Sequence, residues 1–219
     1  LRALALQPDV LMISHADSDH AGGAASLLAH LPPKQLLTSM SAAPDWPVSP
    51  HQALPQPCIA GQRWRWDGVD FAVLHPQAAD YQRNLKSNAM SCVLRVSTPN
   101  ASVLLAGDLP QNQERDLWQH LGAAQLASTV LLAPHHGSKT SSNHLFLQAV
   151  QARWVVVQAG YLNRYHHPAP AVLQRYADLG LGVLGNAECG AITWQSWDSA
   201  RMGCLRRDAP RYWWHQVLP

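Results

Sequence analysis

Ten residues near the start of the chain, SHADSDHAGG from Ser14 to Gly23, place His15, Asp17, Asp19 and His20 within six positions. Imidazole nitrogen and carboxylate oxygen form a ligand set for a divalent metal such as Zn²⁺ or Mn²⁺. Two later stretches carry the same chemistry: LLAGD, ending on Asp108, and LLAPHHGS, with His135 and His136. One acid after a strand means little. Together with the first cluster and the histidine pair it makes a two-metal site in which a carboxylate bridges the ions.

The elements that must present these residues are legible from hydrophobic patterning. The apolar run Val10 to Ile13 predicts a strand ahead of the first ligand loop, and Ala21 to Leu31 predicts a helix that Pro32 and Pro33 stop. A strand is expected over Gln35 to Thr38, then a proline-rich loop with at most a helical turn from Ser41 to Pro57. Arg63 to Trp66 and Val69 to His75 flank Asp67-Gly68, a hairpin signal, and Pro76 to Asn88 reads as loop. Two strands, Cys92 to Ser97 and Ser102 to Ala106, follow across the Pro99-Asn100 turn. Helices over Asn112 to Leu121, Ser142 to Val150 and Ala169 to Leu179 then alternate with strands over Thr129 to Ala133, Trp154 to Val157 and Gly182 to Leu184. That alternation argues α/β layers, with the three ligand loops at strand C-terminal ends, where open α/β sheets build their sites. Ala191 to Trp197 and Arg201 to Leu205 suggest a closing β pair, and Trp213 and Trp214 read as packing or edge residues.

Composition bounds the answer. At 219 residues and 24.0 kDa, with 47% hydrophobic and 14% charged residues, the chain suits one globular domain over 1–219. Sixteen basic against 14 acidic side chains leave +2, no polycationic surface that by itself announces nucleic acid. Cys58, Cys92, Cys189 and Cys204 are widely spaced without a CxxC pair, so isolated buried thiols are expected. No apolar run approaches the roughly 20 residues that cross a bilayer. The opening LRALALQPDV reads as the end of a helix leading into a strand, as in a fragment of a longer chain.

The motifs resemble the metallo-β-lactamase superfamily, whose HxHxDH signature is matched by His15, Asp17, Asp19 and His20 with one change. Within it the chain is similar to the C-terminal domain of the ComEC competence proteins, which take DNA into bacteria. SHADSDHAGG, LLAGD, PHHGSKTS (Pro134 to Ser141), NRYHHP (Asn163 to Pro168) and ECGAI (Glu188 to Ile192) stand in that family's order. The resemblance implies an α/β fold, the metallo-β-lactamase-like αβ/βα sandwich, here lacking its first N-terminal strands. It implies two divalent metal ions, with His15 and Asp17 on one, Asp19 and His20 on the other, Asp108 bridging and His135 as terminal ligand. His136 lines the site or substitutes as a ligand, and Asp19, His136 and His167 take catalytic roles. His167 reaches the scissile group, the alternative being a plain loop residue ahead of a helix.

Two departures follow. Asp17 stands where the superfamily has its second histidine, and the histidine expected before the bridging aspartate is replaced by the region of Asn88 and Ser91. More oxygen and fewer imidazole ligands shift the preference from Zn²⁺, which stays a candidate, toward Mn²⁺ or Mg²⁺, with Mn²⁺ favoured, and suit phosphodiester cleavage over β-lactam hydrolysis. Asn88, Ser91, Ser138 and Lys139 are then expected at the substrate, although Ser138 can equally cap a turn and Lys139 be solvated. His75 is expected to be a core or turn histidine, and His30, His51, His120, His144 and His215 surface residues. The implied function is a DNase acting during DNA uptake, with a small-phosphodiester hydrolase, such as one acting on a choline-phosphate ester, or a non-catalytic DNA-guiding domain as alternatives. Partners would be DNA and the membrane channel portion of a parent protein in the bacterial inner membrane, this domain lying on the periplasmic side. The sequence leaves the oligomeric state open.

Overall fold

The computed structural model describes residues 7–40 and 54–214. They divide into two compact units, one of residues up to 63 together with 72–93, the other of 64–71 together with residues from 94 on. The first unit opens with β1 (Val10–Ile13), the helical turn α1 (Ser18–Ala21), α2 (Ala24–His30), β2 (Gln35–Thr38) and β3 (Pro55–Pro57). The strands pair in parallel, in the order β1-β2-β3. Parallel strands need a crossover, which α1 and α2 supply between β1 and β2. Ala24 and Leu28, one turn apart on α2, pack on Ile13 and Leu36 of the sheet.

The helix expected over Ala21 to Leu31 is thus two pieces separated at Gly22–Gly23. A Cβ at Gly22 would lie 2.4 Å from the Ser18 carbonyl oxygen, so only glycine closes α1 this tightly. Residues 41–53 of the expected loop, with His51, lie outside the described residues; its end pairs as β3. Proline at the sheet edge forfeits no interior ladder bond, which is why a proline-rich stretch can still be a strand. The loop predicted from Pro76 to Asn88 folds as two 3₁₀ turns, Ala78–Gln82 and Ser87–Met90, the first closed by a capping box between Gln77 and Asp80.

A seven-stranded sheet has the order β10-β9-β8-β7-β6-β5-β4. Its strands are β4 (Arg63–Trp66), β5 (Val69–His75), β6 (Val93–Ser97), β7 (Ser102–Leu105), β8 (Val130–Leu132), β9 (Trp154–Val157) and β10 (Gly182–Gly185). β6 and β7 are antiparallel; β7 to β10 are parallel, joined through α3 (Gln111–Leu126), α4 (His144–Val150) and α5 (Pro170–Asp178). α3 extends past its predicted end at Leu121 because Gly122, at φ 67°, interrupts the helical backbone without stopping the chain's course. After the turn α6 (Asn186–Cys189), the expected closing pair forms as β11 (Ile192–Gln195) and β12 (Asp198–Cys204), followed by α7 (Leu205–Asp208). Met202, Ile192 and Trp194 of this pair cover Val130 and Leu184 of the sheet.

The cysteine expectation is corrected. Cys58 bonds to Cys92 in the first unit and Cys189 to Cys204 in the second. Separations of 34 and 15 residues carry no spacing signature, so only the fold brings the partners together. Trp213 also departs from expectation: it is 61% exposed, with the Arg211 guanidinium 5.4 Å from its ring. His30, His120 and His144 are exposed as expected; His215 lies outside the described residues.

Candidate metal centre

In the first unit the ligand loop leaves β1 at the end where Ile13 pairs with Thr38. Asp17, extended at φ −66° and ψ 148°, is the N-cap residue of α1, so the next turn carries both Asp19 and His20. His15 is fully buried and its ring stands 4.1 Å from that of His20. Between them Ser14 Oγ lies 2.9 Å from His15 Nδ1 and 3.1 Å from His20 Nδ1. A hydroxyl oxygen has two lone pairs, so it can accept from both Nδ1–H groups and leave both Nε2 atoms as lone-pair donors. Those Nε2 atoms stand 3.9 Å from Asp17 Oδ2 and 3.7 Å from Asp19 Oδ2, respectively.

The segment 87–92 buttresses this loop. Ser87 Oγ accepts from the Ala16 amide at 3.1 Å, and the Ser14 carbonyl accepts from Cys92 N at 2.9 Å and from Ser39 Oγ at 2.7 Å. Ser91 is buried, with its Oγ 3.4 Å from His15 Nδ1, while half-buried Asn88 accepts the Ser91 amide on its carbonyl. His75, buried as expected, donates from Nδ1 to the Ser91 carbonyl at 2.8 Å.

In the second unit Asp108 follows β7 and is 3% exposed. Its Oδ2 lies 3.5 Å from His135 Nε2 and its Oδ1 3.6 Å from His136 Nε2, so each oxygen faces a different imidazole. Such a geometry requires the chain to turn sharply between two bulky residues. His135 and His136 both adopt left-handed backbone, φ 50° and 55°, which costs about 1–2 kcal/mol per residue. The turn is held by His135 N donating to the Gly107 carbonyl, Ser138 N donating to the His135 carbonyl, and His136 Nδ1 donating to the Gln158 carbonyl at 2.7 Å. Because a carbonyl only accepts, that last bond fixes Nδ1–H and leaves His136 Nε2 basic.

Gly137, at φ 83°, completes the turn where a Cβ would stand 2.6 Å from Pro168 Cβ. Its carbonyl accepts from Ala169 N, which ties the NRYHHP loop to the histidine turn and sets the His167 ring 5.8 Å from that of His135. Burial, then His135 and His136 nearby, lower the pKa of His167 below its ordinary value, against a weaker opposing pull from Asp108. Ser138 is buried, with its Oγ 3.0 Å from Thr140 Oγ1, which is 3.3 Å from His135 Nδ1; Lys139 is exposed.

Sequence reasoning missed Ser14, Thr140 and the support behind the turn. Glu114 of α3 is fully buried and accepts the amides of Ser142 and Asn143 at 2.7 and 2.6 Å. Arg175 of α5 donates to the carbonyls of Ser141 and Ser142 at 2.9 Å, and Tyr176 pairs with the Ser142 hydroxyl. Burial pushes the Glu114 carboxyl up to about 7, outweighing the two amide donors and Arg175. The available signal was an acid three positions from Leu117, on the buried face of a helix.

The carboxylate–imidazole separations, 3.5 to 3.9 Å, exceed ordinary hydrogen bonds. Two donors held about 2.1 Å from one tetrahedral cation stand about 3.4 Å apart, so these pairs fit shared coordination. Within the second unit Asp108 turns one oxygen toward each of the two imidazoles.

Residues 1–160 match the family described as "Metallo-beta-lactamase superfamily". "Competence protein ComA" of Neisseria gonorrhoeae is 38% identical over 184 residues, 84% of this chain and 25% of that protein. "Recombination protein 2" of Haemophilus influenzae is 32% identical over 182 residues (83% and 21%), and "ComE operon protein 3" of Bacillus subtilis 33% over 198 (86% and 25%). The chain therefore spans about a quarter of the length of the curated relatives it matches. Members of this superfamily are generally metal-dependent hydrolases that bind two divalent ions. The chain belongs to the metallo-β-lactamase superfamily, as a domain of the ComEC type.

Proposed function

We propose that this domain is a divalent-metal-dependent phosphodiesterase that cleaves DNA during uptake, with His15, Asp17, Asp19, His20, Asp108 and His135 holding two ions. The observation that carries it is the Asp108 carboxylate, whose two oxygens face two separate imidazoles. With three carboxylates among the six donors, the set favours Mn²⁺, with Zn²⁺ the second candidate. Two such ions, when bound, lower the pKa of water and spread the charge of a phosphoryl group in transit. Around them the chain's own residues divide the remaining work. Asp19 orients the attacking water. His136, its Nδ1–H donating to the Gln158 carbonyl and its Nε2 facing Asp108, lines the site or substitutes as a ligand. His167, its ring 5.8 Å from that of His135, touches the scissile group. Lys139 supplies a point charge for a non-scissile phosphate, Asn88 a polar contact, and Ser91 and Ser138 align His15 and His135 behind the substrate.

The relatives' names connect the domain to competence, and the two disulfides suit an oxidising compartment, which supports a periplasmic position beside the channel portion of an inner-membrane parent. Among the described residues no helix is long and apolar enough to cross a membrane. The test is cleavage of single- and double-stranded DNA by the purified chain with Mn²⁺. Cleavage is expected, and Asp108→Ala should abolish it without altering the circular dichroism spectrum. Persistent cutting by that variant sinks the bridge assignment; turnover of a small chromogenic phosphodiester with DNA left intact sinks DNA as the substrate.

A further inference from the structure

The loop from Gly160 to Pro168 is built more rigidly than its exposure suggests. Asn163 clamps it: its side-chain amide donates to the Gly160 and His167 carbonyls at 3.0 and 2.7 Å, and its Oδ1 accepts the His167 amide at 2.9 Å. His166 N donates to the Asn163 carbonyl, and Leu162 and His166 take left-handed backbone, φ 52° and 54°. What this clamped loop presents to solvent is aromatic. Tyr165 is 63% exposed, yet its ring lies nearly parallel to that of His167, at 21° with centroids 5.8 Å apart. The offset leaves much of the phenol uncovered. Arg164, also exposed, carries its guanidinium 4.7 Å from the Tyr165 centroid. The tier Arg164, Tyr165, His167 therefore steps inward to His135, whose Nε2 faces Asp108.

A serine or a lysine would satisfy solvent equally well at that position; a fixed flat ring with a cation above it suits a flat π-ligand attached to an anion. Every nucleobase offers a π-face, and base-on-aromatic stacking is sequence-tolerant. A base inside a duplex has its faces already covered by its neighbours. Ordering costs are small because Asn163 has already fixed the loop. We propose that Tyr165 and Arg164 form a stacking subsite for an unpaired nucleobase of single-stranded DNA, placing the adjoining phosphodiester toward His167 and His135. The proposal rests on the reading of the domain as a DNA phosphodiesterase and adds strand state to it. Tyr165 supplies the stacking face once the base takes the place of the Arg164 guanidinium, which in the free chain lies over the ring and donates to its hydroxyl, and the exposed Arg164, so displaced, contacts phosphate.

The experiment measures binding of the full 219-residue chain to a fluorescent oligothymidylate by anisotropy in a chelator, where no cleavage consumes the probe. The same measurement uses an oligonucleotide with abasic sites and a duplex. Tyr165→Ala should weaken oligothymidylate binding at least about fivefold, the low end for one stacked base, with the salt dependence unchanged. Tyr165→Phe, which keeps the ring, should stay within about twofold. Arg164→Ala should lower the slope of log Kd against log salt by about one contact. The Tyr165→Ala loss should vanish on the abasic strand and on the duplex. Trp197→Ala, removing an aromatic 76% exposed in the turn between β11 and β12, is the control and should bind as the parent does. Equal losses on normal and abasic strands, equal losses on single strand and duplex, or no loss with Tyr165→Ala would each overturn the subsite. Cleavage is scored separately with Mn²⁺: a chain that cuts DNA without the Tyr165 coupling loses only this proposal, and one that shows the coupling without cutting loses only the enzymatic reading.

Discussion

Glu114→Gln should change how stability depends on pH, and the structure sets the size. The Glu114 carboxyl is fully buried, each oxygen accepting one backbone amide, and burial raises its pKa from 4.5 to about 7. At about 1.4 kcal/mol per pH unit, that rise corresponds to a swing of about 3 kcal/mol. The folded state binds the proton more tightly than the unfolded chain does. The stabilisation is therefore complete below pH 4.5 and lost as pH rises through about 7. Glutamine is neutral throughout, so it lacks this loss. It presents an NH₂ to one of the two amides, at a cost of about 1–3 kcal/mol that does not vary with pH. Urea unfolding of parent and variant at pH 5 and pH 8 should show their stability difference moving by about 2–3 kcal/mol in the variant's favour at the higher pH. A difference constant within about 0.5 kcal/mol would refute burial as the dominant influence on Glu114 and return the carboxylate to a charge satisfied by its amide donors and Arg175.

Three further outcomes are expected. Ser14→Ala removes the shared acceptor of His15 and His20 Nδ1, so calorimetric titration should show Mn²⁺ affinity about 10- to 100-fold lower, and equal affinity would deny the serine this role. Gly137→Ala forces a Cβ to 2.6 Å from Pro168 Cβ at φ 83° and should destabilise the chain by about 1–3 kcal/mol in denaturant; an unchanged midpoint would mean the NRYHHP loop moves freely. Replacing Cys189 and Cys204 by serine should cost about 3 kcal/mol, and Cys58 with Cys92 about 4 kcal/mol, by loop-closure entropy, with the reduced parent matching the double replacements. Identical unfolding midpoints with and without reductant would show that neither bond stabilises the fold.

Several elements were legible because their signals are local. β2, β4, β5 and β9 occupy the predicted residues, since alternating or continuous apolar runs bounded by Gly, Pro or Asp state their own limits. α4 begins two residues after its expected start because Asn143, accepting the Leu145 amide at 2.9 Å, caps it there, a choice made by a single hydrogen bond. β3 was missed because its ladder partners lie on β2, and the 3₁₀ turns, closed by bonds such as those between Gln77 and Asp80, were missed because four or five residues are too few to show a period. Trp213 was misjudged because an aromatic residue's type does not say whether a surface exists for it to cover.

The sequence by itself determined the donor chemistry: which imidazoles and carboxylates follow β1, β7 and β8, and that Asp17 tilts the set toward oxygen. Those are properties of residue type and spacing along one strand end. Only the tertiary structure decided which nitrogen of each histidine is left basic, through Ser14 and Gln158. It also decided that both histidines of the PHHG turn face one carboxylate, through the left-handed backbone that Gly107, Gln158 and Pro168 hold in place. The Ser14 contacts are local in sequence, but the His136 tautomer and the set of the PHHG turn depend on partners 22 or more residues away in the chain, and the cysteine pairings on partners 15 and 34 away. No local pattern encodes such distances, because closing a loop is rewarded only by contacts formed once the fold exists.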